Sequence, residues 1–313
     1  MSEKKAHATF VRIRFAENGG KPFCIWCKHR HVYEIENRRR SKATGKERKR
    51  TLYCCKKCLR QFSVTSQTPF ASRKLPFVDI LHAIALFSNG AKGYSALQIS
   101  HDLNVQYKTA FVLLHKIREA IGDLQIRQKL SGVVEIDASY VGGHVKPANK
   151  ASNRVDRRRL VNRNGKRQSL VVIRERGPNG RSVPFVGTEK EAVAALPNIV
   201  APGTVIIADQ AVAYNPLHAR YEVHRIDHQT EYARDGISTN QAESYWARLK
   251  RSYCGIHHRF SGEHVGAYHA EMSWREDHRR CSNGEKFTLI TSAVLGRPVS
   301  RRWKGYWQRQ KAA

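Results

Sequence analysis

An α/β fold is predicted for the larger, C-terminal part of this chain. From residue 131 onward, short apolar runs alternate with helical patterns. Two of those runs carry an aspartate, Asp137 in 132–137 and Asp209 at the end of 205–209, and one helical pattern carries Glu243. A third observation sets a smaller module ahead of this part: four of the seven cysteines form two CxxC pairs near the N-terminus.

Composition narrows the class. The chain has 313 residues, 41% of them apolar, enough for a large core and more than one domain. Lys and Arg number 56 against 26 Asp and Glu, for a formal charge of +30. A polyanionic partner is expected, because each neutralised phosphate releases condensed counterions. No apolar run of membrane-spanning length is present, and the first residues lack the apolar stretch of a signal peptide. Cysteines in a cytoplasmic setting argue for metal rather than disulfides.

The chain divides by pattern into residues 1–65, 66–125 and 126–313. In the first segment, Cys24 and Cys27 make one knuckle and Cys55 and Cys58 a second. Two such knuckles complete a tetrahedral four-thiolate site for one structural Zn²⁺. The spacing suits a zinc ribbon with a β-hairpin between the knuckles. Tyr33, Leu52 and Tyr53 fall in its strands, and a basic tip runs from Arg38 to Arg50. Cys54 adjoins Cys55 and is the rival ligand, but the two-residue gap to Cys58 favours Cys55.

The second segment reads as a helix-turn-helix. Residues 77–89 carry Ile80, Ile84 and Phe87 at helical spacing, and Gly90 suits a helix stop. Ser95 begins a capping-box pattern, and Leu97, Leu103 and Val105 are expected to pack inward. The next helix, 107–121, buries Ala110, Leu113, Leu114 and Ile117. Gln106, Tyr107, Lys108 and, further along, His115 are then expected to face DNA. A plain helical hairpin is the alternative.

The third segment reads in order as a strand over 132–141, a basic loop 144–167, strands over 168–175 and 181–187, and a helix over 190–199. A strand over 204–209, a short helix near 211–218, a strand near 221–228 and a helix over 239–252 follow. This order is that of a ribonuclease H-like fold, in which the first and fourth strands lie side by side and the last helix packs beside them. Asp137 and Asp209 would then share a site with Glu243. Displacement at a phosphodiester needs both the attacking and the leaving oxygen stabilised, and two Mg²⁺ ions about 3.5–4 Å apart do this. Mn²⁺ is the alternative ion, and hard oxygen ligands suit either. Each acid has a plainer role open to it. Asp137 can cap a turn at Gly142-Gly143, with Glu135, on the same strand face, as the rival ligand. Asp209 can cap the short helix, and Glu243 can pair with Arg248 or Lys250. Lys250, two turns after Glu243, can reach a phosphate beside the site. The loop cations include Arg157, Arg158 and Arg159, a candidate clamp on DNA. The segment from Arg301 to Trp307 mixes cations with aromatics and is read as a basic tail.

Several stretches together resemble the bacterial insertion-sequence transposases of the fifteen-ninety-five (ISXO-two-like) group of the DDE superfamily. They are the four cysteines with Leu59-Arg60-Gln61-Phe62-Ser63-Val64 and Glu135-Ile136-Asp137-Ala138-Ser139-Tyr140-Val141-Gly142-Gly143. Ala208-Asp209-Gln210-Ala211 and Thr239-Asn240-Gln241-Ala242-Glu243-Ser244-Tyr245-Trp246 with Leu249-Lys250-Arg251 continue the match, which ends at Trp274-Arg275-Glu276-Asp277-His278-Arg279-Arg280. The resemblance implies a zinc ribbon, recognition of transposon ends and a magnesium-dependent ribonuclease H-like domain. It places the triad on Asp137, Asp209 and Glu243, with Lys250 as the accompanying base. It departs from the group at Ala138 and Gln210, where relatives often carry acids. The implied activity is cleavage at terminal inverted repeats and joining of 3′-hydroxyl ends to target DNA. It implies at least a homodimer in the active complex and a cytoplasmic, nucleoid-associated setting. A non-catalytic DNA-binding regulator and a structure-specific nuclease of the same fold are the alternatives.

Overall fold

In the computed structural model, residues 1–40, 45, 47–124, 129–156, 159–162, 164–227 and 237–309 are described. They form two compact units: residues 1–89 with 96–120 and 282–313, and residues 90–95 with 121–281.

The first unit begins with a helix, α1 (Glu3–Arg14), whose N-cap Ser2 accepts from the Lys5 N–H. α1 buries Ala6 and Phe10, and Phe10 packs edge-on against Phe70 and tilted against Phe77. Strands β1 (Val32–Arg40) and β2 (Glu47–Cys55) pair antiparallel from Val32↔Cys55 to Arg40↔Glu47, and β3 (Gln61–Phe62) adds to β2. Tyr33, Leu52 and Tyr53 lie in these strands as expected. Helices α2 (Phe77–Asn89), α3 (Ala96–Asp102) and the greater part of α4 (Tyr107–Gly122) follow. The Glu3 carboxylate accepts the first N–H groups of α2, from Phe77 (2.9 Å) and Val78 (3.1 Å), so α1 caps α2.

Two expectations are corrected in this unit. Leu97 is 56% exposed; α3 buries Ala96, Ile99 and Ser100, an i, i+3, i+4 face that excludes position 97. Residues 282–309, expected within the 126–313 domain with Arg301–Trp307 as its basic tail, group instead with the first unit. They form α8 (Asn283–Leu295), which packs on α1 and α2, and the short α9 (Tyr306–Arg309), all inside the first unit. A Ser282–Glu285 capping box starts α8. Ile290, Thr291, Val294 and Leu295 form its buried face.

The second unit is built on five strands, β4 (Val133–Gly142), β5 (Arg167–Glu175), β6 (Ser182–Val186), β7 (Val205–Asp209) and β8 (Glu222–Ile226). Their order is β6-β5-β4-β7-β8, antiparallel across β4–β5–β6 and parallel across β4–β7–β8. The first strand is thus central, flanked by the second and fourth, which is the ribonuclease H-like arrangement. The strands form because Val and Ile dominate them and both faces are covered. On one face Val134, Ile136, Val171, Ile173, Ile206 and Ala208 pack with Ala192 and Leu196 of α5 (Glu189–Ile199). On the other, Val141, Leu170 and Val172 pack with Ala242, Tyr245, Trp246 and Leu249 of α6 (Asn240–Gly255) and with α7 (Val265–Asp277). The expected short helix after β7 is a 3-10 segment, Val212–Ala219, with Pro216 inside it. Among the described residues no helix is long and apolar enough to cross a membrane.

Candidate active site

β4 and β7 run side by side, with Ile136 opposite Ala208 as their last paired residues. Asp137 and Asp209 come next on each strand. Side chains alternate along a strand, so Asp137 points away from the α5 face, toward α6. Glu243 sits exposed in the first turn of α6, whose Ala242 and Trp246 pack against that face.

Asp137 feels the charges of both other acids. Burial pushes the Asp137 carboxyl up to about 6. The Ala138 N–H, 2.8 Å from Asp137 Oδ1, pulls the other way, while the charges of Asp209 and Glu243 add to the rise. The Trp246 indole N–H, buried with no hydrogen-bond partner of ordinary geometry, lies close enough to Asp137 to steady its charged form. Asp209 Oδ1 accepts the Ala211 N–H at 3.0 Å, so the local turn role open to Asp209 is real and occupies one oxygen. Arg225 holds the same turn through Asp209 O (2.5 Å) and Ala211 O (2.7 Å). The three carboxylates do not gather as tightly as ligands of a single ion: among the described residues only the four cysteines bring ligand atoms within 4.8 Å of one another. A pair of ions about 3.5–4 Å apart spreads its ligands wider than one ion does. A set of carboxylate oxygens, the one on Asp137 partly buried, fits hard divalent cations.

Glu135, the rival ligand, is fully buried and otherwise engaged. Its Oε1 accepts from Arg176 Nε at 2.6 Å, and its Oε2 accepts the Ala242 N–H at 2.8 Å. Arg176 in turn donates to the carbonyl and hydroxyl of Ser238. Glu135 therefore ties β4 to the first turn of α6, one residue before Glu243. Two other groups escaped the sequence reading. Glu189, at the start of α5, has its carboxyl raised by burial and by the charge of Asp209. Tyr214 is fully buried with no partner for its hydroxyl, and its acidity is suppressed by burial and by Glu189, Asp209 and Asp137. Neither belongs to a recognisable motif; only its position after a strand could have singled out Glu189.

Residues 129–277 match the family model of the ISXO2-like transposase domain. That stretch of the chain is similar to ISXO2-like transposase domains. The matched stretch contains the acids of β4, β7 and α6, and it assigns the coarse activity, cutting and joining of DNA. No curated protein matches the chain. Among solved structures, the Mos1 strand transfer complex aligns at 15% identity over 69% of this chain and 78% of that one, with a TM-score of 0.27. A pre-cleavage Mos1 transpososome aligns at 13% identity over the same shares, with a TM-score of 0.24. Likenesses this distant decide nothing further about the chain.

Ahead of the transposase domain, the thiolate centre is complete. Cys24, Cys27, Cys55 and Cys58 hold their sulfurs within 4.8 Å of one another, with Cys24–Cys58 and Cys27–Cys55 each at 3.6 Å. Tetrahedral Zn²⁺ with bonds of about 2.3 Å needs sulfurs about 3.8 Å apart, so the set fits that ion. The two knuckles are built alike. The Lys28 N–H returns to Cys24 O and the Leu59 N–H to Cys55 O, and Lys28 and Leu59, each just after a CxxC, adopt left-handed backbone (φ 62° and 58°). Burial pushes the Cys55 thiol up, but the Cys58 and Lys57 N–H groups aimed at its sulfur carry it down to about 6. Cys54 is buried against Leu59 O instead and stays outside the cluster.

Of the residues expected to face DNA, Gln106, Tyr107 and Lys108 are exposed around the start of α4. His115 is corrected: it is fully buried, stacked on Trp303 at 4.4 Å, because it lies on the same helix stripe as Phe111. Lys250 is exposed on α6. Arg159 is exposed beside Asp156, at 4.0 Å; Arg157 and Arg158 lie outside the described residues.

Proposed function

We propose that this transposase binds the ends of its element, cleaves DNA strands there and joins the freed 3′-hydroxyls to target DNA. Asp137, Asp209 and Glu243 would hold two divalent cations, Mg²⁺ first among them. The observation that carries this reading is that Asp137 and Asp209 follow the last pair of the central β4–β7 ladder, with Glu243 in the first turn of α6, which packs on that face; burial and the charges of both acids raise the Asp137 carboxyl. Cations bound there would supply the positive charge that stabilises the attacking and leaving oxygens of an in-line displacement.

In the first reaction, water attacks a phosphodiester phosphorus, the bond to the 3′-oxygen breaks, and the oxygen departs as a 3′-hydroxyl. In the second, that hydroxyl attacks a target phosphodiester; one P–O bond forms and one breaks. Glu135 and Arg176 keep α6 in register with β4, so Glu243 faces Asp137 when DNA arrives. Lys250 offers a cation for an adjacent phosphate. Gln106, Tyr107 and Lys108 meet the element end, and Arg157, Arg158 and Arg159 grip DNA from the loop 144–167. Pairing of two ends calls for at least two copies of the chain.

The test uses end-labelled duplex carrying the DNA that flanks the gene, with Mg²⁺ or Mn²⁺. Cleaved 3′-hydroxyl ends that go on to appear in joined products support the reading. Binding without strand products would instead make the protein a regulator, and cleavage without joining a nuclease.

A further inference from the structure

The last described residues pack on the helix proposed to read DNA. Phe111 of α4 meets Trp303 at 6.0 Å, Tyr306 at 6.2 Å and Trp307 at 5.8 Å. His115 stacks on Trp303, and the Trp307 indole N–H donates to Lys108 O at 3.2 Å. The Lys108 ammonium lies 5.3 Å from the Trp307 ring. Trp303 and Tyr306 are buried, so this hook is an integral part of the first unit. It closes one side of a groove of about 640 Å³ whose other walls are residues 70–75 and α4.

The charge of that groove is one-sided. Arg73, Lys74, Lys108, Lys116 and Lys304 line it, and among the described residues no carboxylate does. Arg73 is engaged by Glu3, and Lys116 is half-buried, whereas Lys74, Lys108 and Lys304 are exposed. Burial lowers the Lys116 ammonium's pKa, with the charge of Glu119 pulling the other way. Trp307, half-buried on the rim, offers a flat apolar surface among these cations. A groove of this composition suits the sugar–phosphate backbone of a duplex: cations for phosphates and an aromatic edge for the sugars. Gln106 lies on the same rim, so a backbone seated here brings base edges to the start of α4.

We propose that the C-terminal hook, through Lys304 and Trp307, forms one wall of a duplex-DNA backbone site that it shares with Lys108 and Lys74. The proposal rests on the reading of α4 as the DNA-facing helix and adds to it a contact from the far end of the chain.

The experiment uses the full chain with its zinc and a random-sequence 30-base-pair duplex, followed by fluorescence anisotropy from 50 to 300 mM salt. The variants are Lys304→Ala, Lys304→Glu and Lys108→Ala, all at exposed positions. Each lost phosphate contact lowers the salt slope by about 0.9 and weakens binding roughly eightfold near 0.1 M salt. Lys304→Ala is expected to do both, and Lys304→Glu to weaken binding further. If Lys108→Ala weakens binding and neither Lys304 variant does, the hook is not part of the site, although α4 remains the DNA helix. If none of the three changes affinity or slope, the reading of α4 fails and this proposal with it.

Discussion

Glu135→Gln tests how the active site is held together. The carboxylate has two jobs, one oxygen for Arg176 Nε (2.6 Å) and one for the Ala242 N–H (2.8 Å), and no solvent access. Glutamine keeps the shape but offers a single acceptor oxygen, so one donor must face an amide NH₂. A buried hydrogen bond to a charged acceptor contributes about 1.5–3 kcal/mol, and Arg176, only partly exposed, also loses its counter-charge. A local loss of about 2 kcal/mol corresponds to roughly a thirtyfold fall in amide protection. Hydrogen exchange read by mass spectrometry on a peptide covering 240–246 measures this directly, without requiring the two units to unfold together. The expected outcome is faster exchange in the first turn of α6, unchanged exchange in the thiolate module, and strand cleavage reduced at least tenfold. Unaltered protection in 240–246 would refute the clamp and return Glu135 to the list of cation ligands.

Asp137→Asn should abolish strand cleavage while duplex binding persists; cleavage within twofold of the parent would remove Asp137 from the site. Cys55→Ser should release the metal, seen as loss of stoichiometric zinc by elemental analysis, whereas Cys54→Ser should retain it; the reverse pattern would exchange the two ligands. Asp277 supplies a pH prediction. Burial raises its carboxyl from 3.8 to about 7, against hydrogen bonds from Ser182 and the charge of Arg174. The folded unit therefore keeps this proton up to about pH 7, while the unfolded chain releases it near pH 4, and stability falls as pH rises between the two and then levels off. Asp277→Asn removes this slope, which corresponds to roughly 4 kcal/mol at most. It should raise the melting temperature at pH 8 and leave it unchanged at pH 4; a variant less stable than the parent at pH 8 would show that the carboxylate is stabilised, not penalised.

The sheet was legible because its strands are buried on both faces, so 133–142, 167–175 and 205–209 read as apolar runs with acids at fixed places. The knuckles were legible because two CxxC pairs are rare by chance, and the structure separates Cys54 from Cys55 by turning its side chain toward Leu59 O. Periodicity could not show where the end of the chain belongs. Ile290 and Val294 mark an apolar stripe, but only long-range packing on α1 and α2 assigns it to the N-terminal unit. His115 failed for a related reason: its exposure depended on Trp303, almost two hundred positions away. Glu135 and Asp137 share one strand face, so the sequence could not tell ligand from clamp; the difference lies in which backbone N–H each carboxylate meets.

Metal-directed cleavage of the polypeptide tests whether the acids at 137, 209 and 243 surround one cation-binding space. Replacing the bound divalent ion by Fe²⁺ in the zinc-loaded protein, then adding ascorbate and peroxide, generates hydroxyl radicals that cut the polypeptide beside the metal. Breaks near all three positions, suppressed by excess Mg²⁺ and lost in Asp137→Asn, are the predicted result. Breaks at only one of the three, or a pattern indifferent to Mg²⁺ and to Asp137→Asn, would contradict it.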